Sequence, residues 1–156
     1  YFKLPMSISE TINADDIASG RCFDLSWLRQ QGLPFAARNV KLAAQGTVAA
    51  SLDALVTARA SWNGHNASGW KADVVAANGF DERMGYGGED RELGERLENA
   101  GIIGKRIRHR AIVIHLDHPR GYVRQDIIEK NKAIRAETRS QRLVRTAHGL
   151  REHASE

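Results

Sequence analysis

Apolar residues at helical spacing mark the clearest predicted element of this chain. Leu93, Leu97 and Ala100 share one side of a segment that begins at Glu89 and stops before Gly101, and this pattern predicts a helix. The same spacing, or composition together with start and stop signals, predicts further helical segments over residues 13–19 (with Asn13 as the capping residue), 47–60, 71–78 and 122–150.

Two segments have the pattern of strands. Residues 1–8 are predicted to be extended, with an interruption at Pro5, and residues 106–115 are predicted to form a strand with a continuously apolar end. The order of elements is typical of an α/β protein, but these strands are too few to close a doubly wound sheet. We therefore expect a small mixed sheet with helices, and further strands of the sheet upstream of Tyr1.

Length and charge limit the class of protein and the kinds of partner that this sequence allows. The chain has 156 residues, enough for one ordinary core, and no apolar run approaches the roughly 18 residues that span a bilayer. Its net charge of +4 comes from residues 120–156, where nine Lys or Arg face five acids. Because Tyr122 is the only aromatic residue there, we interpret residues 121–156 as a basic helical tail with a solvated face. No nucleic-acid partner is expected.

Localisation follows from the same features. The single Cys22 cannot form an internal disulfide and is compatible with a reducing compartment. We expect a cytoplasmic protein, with peripheral association at the inner face of the membrane as a candidate role for the basic tail.

Candidate chemistry concentrates in residues 79–93. Gly85, Gly87 and Gly88 form a flexible loop that runs into a helix whose first turn holds Glu89 and Asp90. Two carboxylates would thus lie at the edge of a cleft. An alternative stays open, because acids in a first helical turn also stabilise the helix dipole without any further function.

Five motifs follow one another along the chain: Asn66-Ala-Ser, Asn78-Gly-Phe-Asp-Glu, Gly-Tyr-Gly-Gly-Glu-Asp, Glu-Leu-Gly-Glu-Arg-Leu and His115-Leu-Asp-His118-Pro. As an ordered set, they resemble the family-2 and galactosyltransferase-type glycosyltransferases, including bacterial polysaccharide and chondroitin-polymerase-like enzymes. The resemblance covers residues 64–120 well. It implies that residues 1–120 are the C-terminal, acceptor-side part of a nucleotide-diphospho-sugar transferase (GT-A) fold. The nucleotide-binding half is then absent from this chain, which alone should be inactive.

The resemblance also implies residue roles. Asp90 corresponds to the general base of an inverting transfer of sugar from a UDP-sugar-type donor to a carbohydrate acceptor, and Glu89 helps to hold that acceptor. Family members often have Trp where this chain has Tyr86, and a further acid where it has Arg91. The acceptor-binding candidates are Tyr86, Gly87, Gly88, Trp62 and Asn66, although Trp62 also suits a place in the core.

His115 and His118 are the metal-ligand candidates. Imidazole is a reasonable ligand for Mn²⁺ or Mg²⁺ beside carboxylate and phosphate oxygens, and similar enzymes complete the site with an Asp-any-Asp motif that this chain lacks. Spacing does not choose between the two histidines, and a purely structural role stays open for both.

A second functional class competes with the enzyme. The fold or its basic tail could serve as a non-catalytic module that binds polysaccharide, anionic membrane or nucleic acid. An uncovered sheet edge would also allow oligomers to form.

Overall fold

The computed structural model of the protein describes residues 1–150, and residues 151–156 of the predicted tail lie outside the described residues. The chain forms two compact units. The first unit contains residues 1–58 and 106–119, and the second contains residues 59–105 and, among the described residues, 120–150. No helix among residues 1–150 is both long enough and apolar enough to cross a bilayer.

The elements of the first unit are mostly short helices. They are β1 (Phe2–Lys3), α1 (Met6–Ser9), α2 (Ala14–Ala18), a 3-10 turn (Arg21–Phe23), α3 (Leu25–Gln30), a second 3-10 turn (Ala37–Asn39), α4 (Val40–Ala43), α5 (Gly46–Leu55) and β2 (Ile114–His115). Strands β1 and β2 pair in parallel, with Phe2 opposite Ile114 and Lys3 opposite His115. The buried core of this unit consists of Phe2, Leu4, Ile8, Leu28, Leu33 and Leu42.

The described residues of the second unit form three helices, α6 (Lys71–Ala76), α7 (Glu89–Asn99) and α8 (Gln125–Ser140). Helices α7 and α8 pack against each other. Leu93 and Leu97 of α7 form a buried cluster with Ala77, and Trp62 and Ile102 pack against this cluster.

A buried ion pair anchors α7 within this unit. Arg96 and Glu92 lie one helical turn apart and have side-chain exposures of 0% and 1%. Arg96 also donates hydrogen bonds to the carbonyl oxygens of Ala77 and Gly79, and Glu92 accepts one from the Thr138 hydroxyl of α8 at 2.8 Å. A completely buried charge pair stabilises the fold only when its remaining polar groups also form hydrogen bonds. The three bonds above supply these partners.

The helix predictions are largely confirmed. Helix α7 begins at Glu89 as predicted, and Gly101 follows its end with a φ of 85°. Asn13 caps α2 through a reciprocal capping box with Asp16. The Asn78 stop signal is also confirmed, because Asn78 takes a φ of 67° just after α6.

The strand prediction for residues 106–115 is wrong except at Ile114 and His115. Residues 108–110 form a turn, because Asp53 of α5 accepts hydrogen bonds from the backbone N–H and ring of His109 and from Arg110. These interactions replace a strand ladder. The expected mixed sheet is accordingly a two-stranded parallel sheet among the described residues, and the fold is rich in helix.

Other predicted elements are shorter than expected. Strand β1 stops at Lys3, because Pro5 follows closely as the N-cap residue of α1. Helix α5 ends at Leu55 rather than at residue 60. In the tail, α8 ends at Ser140, and Arg142 then takes a φ of 52°, a left-handed conformation that ends the helix.

Asp81, the first residue of the glycine-rich loop, should make the stability of the second unit depend on pH in the acid range. Burial alone would raise the pKa of this carboxyl, but hydrogen bonds from Arg83 and Thr146 lower it from 3.8 to about 2. A lowered folded-state pKa stabilises the protein above about pH 4, and this stabilisation is lost as the pH falls toward 2. In denaturant unfolding, the free energy of unfolding of Asp81→Asn should therefore be well below that of the parent chain at pH 6. At pH 2 the two values should be much closer. A difference that does not change with pH would contradict this reading.

Candidate functional site

The loop of residues 81–88 is held in place by one side chain of α8. Asn131 is fully buried and donates its amide N–H groups to the carbonyl oxygens of Gly85 at 2.9 Å and Gly87 at 3.1 Å. Gly88 then caps α7 with a φ of 92°. The start of α7 is thus positioned from α8, by a residue to which no sequence motif pointed.

The glycines of this loop are required by their approach to α8. A Cβ atom at Gly85 would lie 2.9 Å from Ile127, and one at Gly87 would lie 3.2 Å from Ile128. Gly87 also has a φ of 119°, which side-chain-bearing residues rarely adopt. Packing within the protein accounts for these glycines, and the predicted roles of Gly87 and Gly88 in acceptor binding stay predictions.

The carboxylate of Asp90 is half-buried and held by two backbone N–H groups. One oxygen accepts from Gly64 at 2.8 Å, and the other accepts from Arg91 at 2.7 Å. The first of these bonds ties the segment around Gly64 to the beginning of α7. The carboxylate therefore has a fixed orientation, which is the property that a general base needs most.

Glu89 faces the loop. Its Oε2 atom accepts a hydrogen bond from the backbone N–H of Gly87 at 2.7 Å. Both acids of the Glu-Asp pair thus stabilise local backbone, as acids at a helix start commonly do. Each carboxylate oxygen retains a second lone pair, so these bonds leave Asp90 able to accept a proton.

Tyr86 forms an aromatic pair that the sequence did not reveal. Its ring lies edge-on to Tyr122 with the ring centres 4.8 Å apart, and its hydroxyl accepts a hydrogen bond from Arg120 at 3.2 Å. Tyr86 and Tyr122 are 39% and 51% exposed, so their ring surfaces are open to a ligand. The separation of 36 positions along the chain explains why local patterns gave no signal.

Trp62 lies against α7, and Asn66 lies on the surface. The side chain of Trp62 packs so closely on Gly94 that a Cβ atom there would lie 2.6 Å from it. This contact agrees with the core interpretation of Trp62. Asn66 is exposed, and its backbone N–H donates to the carbonyl of Asn63 at 2.9 Å. Acceptor binding by either residue stays a prediction.

His115 and His118 belong to the first unit, whereas the acids and aromatic residues above belong to the second. The two imidazole rings are neighbours, with centroids 5.6 Å apart. His118 is exposed, and its Nδ1 lies 3.0 Å from the Pro119 carbonyl oxygen. If Nδ1 donates this bond, the opposite nitrogen of His118 is the one that can bind a metal.

The two histidines fit part of a metal-ligand set. Within residues 1–150, no group of three or more His, Cys, Asp or Glu side chains is arranged to hold a metal ion. Asp117, between the histidines, instead pairs with Lys3 at 2.8 Å. A manganese or magnesium ion bound here would need additional oxygen ligands from its phosphate partner or from residues outside this set.

The segment of the chain that contains the candidate site residues is similar to a known protein family. Residues 59–119 match a family model described as the N-terminal domain of galactosyltransferase, which is 61 of the 156 positions. No curated protein and no solved structure matches the chain. The position of this segment within a complete catalytic fold stays a prediction. Every candidate site residue named from the sequence falls inside the matched range, so the part of the chain that carries the candidate site is similar to a glycosyltransferase domain.

Proposed function

We propose that the protein acts in inverting glycosyl transfer, moving a sugar from a nucleotide-sugar donor to a carbohydrate acceptor with Asp90 as general base. The observation that carries this proposal is the carboxylate of Asp90, which two backbone N–H groups orient within the matched segment. A base acts only when it is held within hydrogen-bond reach of the proton that it removes.

The proposed reaction is a single displacement at the anomeric carbon of the donor sugar. The acceptor hydroxyl oxygen attacks the anomeric carbon of the donor while its proton passes to a carboxylate oxygen of Asp90. The new bond joins the acceptor oxygen to the anomeric carbon, and the bond from that carbon to the diphosphate oxygen breaks. Attack from the face opposite the leaving group inverts the anomeric centre. The protonated Asp90 then returns its proton to water.

Tyr86 and Tyr122 are the proposed support for the acceptor. An aromatic face packs well against the C–H surface of a sugar ring while the phenol remains in contact with water. The Arg120 bond to the Tyr86 hydroxyl and the edge-on contact with Tyr122 restrict the movement of Tyr86. Less ordering is then required when an acceptor binds.

Metal assistance would involve the two histidines of the first unit. A bound Mn²⁺ would neutralise charge on the departing diphosphate, and His115 and His118 are the residues that would hold it. Ala at one of these positions should raise the Mn²⁺ concentration needed for half-maximal activity by at least about tenfold, equivalent to roughly 1.4 kcal/mol. His65→Ala, at an exposed position of the second unit, is the control. If neither variant at 115 or 118 shifts the Mn²⁺ requirement, both histidines are structural.

The test of the proposed function is the release of nucleoside diphosphate by the full-length protein. A panel of nucleotide sugars is supplied with and without a mixture of oligosaccharide acceptors. The proposal predicts release from at least one donor that depends on the acceptor. Oligosaccharide binding without turnover of any donor would instead favour the non-catalytic binding module.

A further inference from the structure

An arginine-rich groove runs along the second unit beside the candidate site. Its volume is about 440 Å³, and it lies against α7, the later part of α8 and the segment around Trp62. Five arginines line it: Arg59, Arg91, Arg135, Arg139 and Arg142. The proposed function makes no use of this groove, and no sequence pattern indicates that these residues, up to 83 positions apart, share one surface.

The acids in the groove do not balance its positive charge. Glu95 accepts hydrogen bonds from both Arg135 at 2.6 Å and Arg139 at 3.0 Å. Glu98 pairs with Arg59. Five arginines against these two glutamates leave a net charge of +3.

Arg91 and Arg142 make no ion pair within residues 1–150, and both are exposed. A concave surface lined mainly by one sign of charge concentrates ligands of the opposite sign. Guanidinium groups suit carboxylate, phosphate and sulfate, because their planar N–H donors can contact two oxygens at once. The ligand that complements this groove is therefore an oxyanion.

The aromatic content of the groove limits which oxyanions it can bind. Single-stranded nucleic acid that binds along a basic groove typically stacks its bases on aromatic faces. Trp62 is the only aromatic residue among the described residues that line this groove, and its ring lies close against Gly69. Arg91 directly follows Asp90, so the groove begins next to the proposed base.

We infer that the groove binds an anionic saccharide, one whose sugar units carry carboxylate, phosphate or sulfate groups. The choice of an oxyanion rests on the groove alone, whereas the choice of a saccharide rests on the proposed function. Arg91 and Arg142 contact the anionic groups directly. Arg135 and Arg139, held by Glu95, form a fixed positive wall.

Calorimetric titration of the purified full-length protein tests this inference through binding rather than turnover. The probes are an oligomer of galacturonic acid, the same oligomer after methyl esterification, inorganic phosphate and a short single-stranded DNA. The acidic oligomer should bind, more weakly as salt is added, and the neutral ester should not. If the protein binds the acidic oligomer but shows no sugar transfer in the separate nucleoside-diphosphate release assay, the proposed function is contradicted. The assignment of the groove to an oxyanion then still holds.

Matched variants locate the binding. Arg91→Gln with Arg142→Gln removes two positive charges without breaking an ion pair, and should weaken binding of the acidic oligomer by at least about tenfold per arginine. Arg124→Gln with Lys132→Gln removes the same charge from exposed positions outside the groove and should change binding less than about threefold.

Four results would overturn the inference: equal weakening in the two double variants, equal binding of the neutral ester, binding of phosphate without the oligomer, or tighter binding of DNA through the same arginines.

Discussion

Asp90→Asn should lower the rate of sugar transfer by at least about 100-fold in the full-length enzyme, the scale expected for loss of a general base. The amide has nearly the same shape as the carboxylate but cannot take the acceptor proton. Donor affinity should barely change, because Asp90 acts on the acceptor. Initial rates over a range of donor and acceptor concentrations separate the two effects.

The structure defines the control for this substitution. Asn has one side-chain oxygen, so it can keep only one of the bonds from Gly64 and Arg91, at a cost of about 1 kcal/mol in the free energy of unfolding. Melting curves measure that cost separately from activity. Asp126→Asn makes the same chemical change in the first turn of α8 and should leave transfer unaffected. If Asp90→Asn remains folded and retains most of its activity, the carboxylate only stabilises the start of α7.

Arg96→Met should lower the free energy of unfolding by about 3–5 kcal/mol, the largest stability effect that the structure predicts. The substitution leaves the buried carboxylate of Glu92 with the Thr138 hydroxyl but without its cation. It also removes the donors to the carbonyl oxygens of Ala77 and Gly79. Denaturant unfolding followed by circular dichroism measures the loss.

Two further variants separate the buried charge from the lost packing. Arg124→Met breaks an ion pair whose members are 66% and 63% exposed, so its effect should stay within about 1 kcal/mol. Combining Arg96→Met with Glu92→Met removes both charges and should recover part of the stability lost by Arg96→Met alone. A double variant less stable than Arg96→Met would show that the unpaired carboxylate is not the main cost.

Local signals explain which elements could be predicted. Helix α7 has its acids at the start, apolar residues at helical spacing and Gly101 after its end, all within 13 positions. The capping box at Asn13 and the stop at Asn78 are equally local. Each of these depends on backbone groups only a few residues away, which a sequence pattern can encode.

Distant contacts explain what could not be predicted. Residues 108–110 turn toward Asp53, a partner 56 positions from His109, although their own alternation favours a strand. The link from Asp90 to Gly64, the pairing of Tyr86 with Tyr122 and the arginine groove also depend on folding of the chain. Tertiary contacts of this kind override local preference.

The candidate site shows the same division. The motif order located Glu89 and Asp90 at the beginning of a helix, where the structure has them. The hydrogen bonds that they accept from Gly64 and Gly87 were not predictable, because these donors belong to loops without regular patterns. The chemical groups of the candidate site could therefore be predicted from the sequence, whereas their orientation is seen only in the structure.

The stereochemistry of the product distinguishes a single displacement, with Asp90 as base, from other routes of sugar transfer. The full-length enzyme is supplied with a nucleotide sugar of known anomeric configuration and an acceptor, and the proton NMR spectrum of the early product is recorded before any anomerisation. A single displacement with Asp90 as base predicts a glycosidic bond of the opposite anomeric configuration, formed only when acceptor is present. A product that keeps the configuration of the donor would contradict this account.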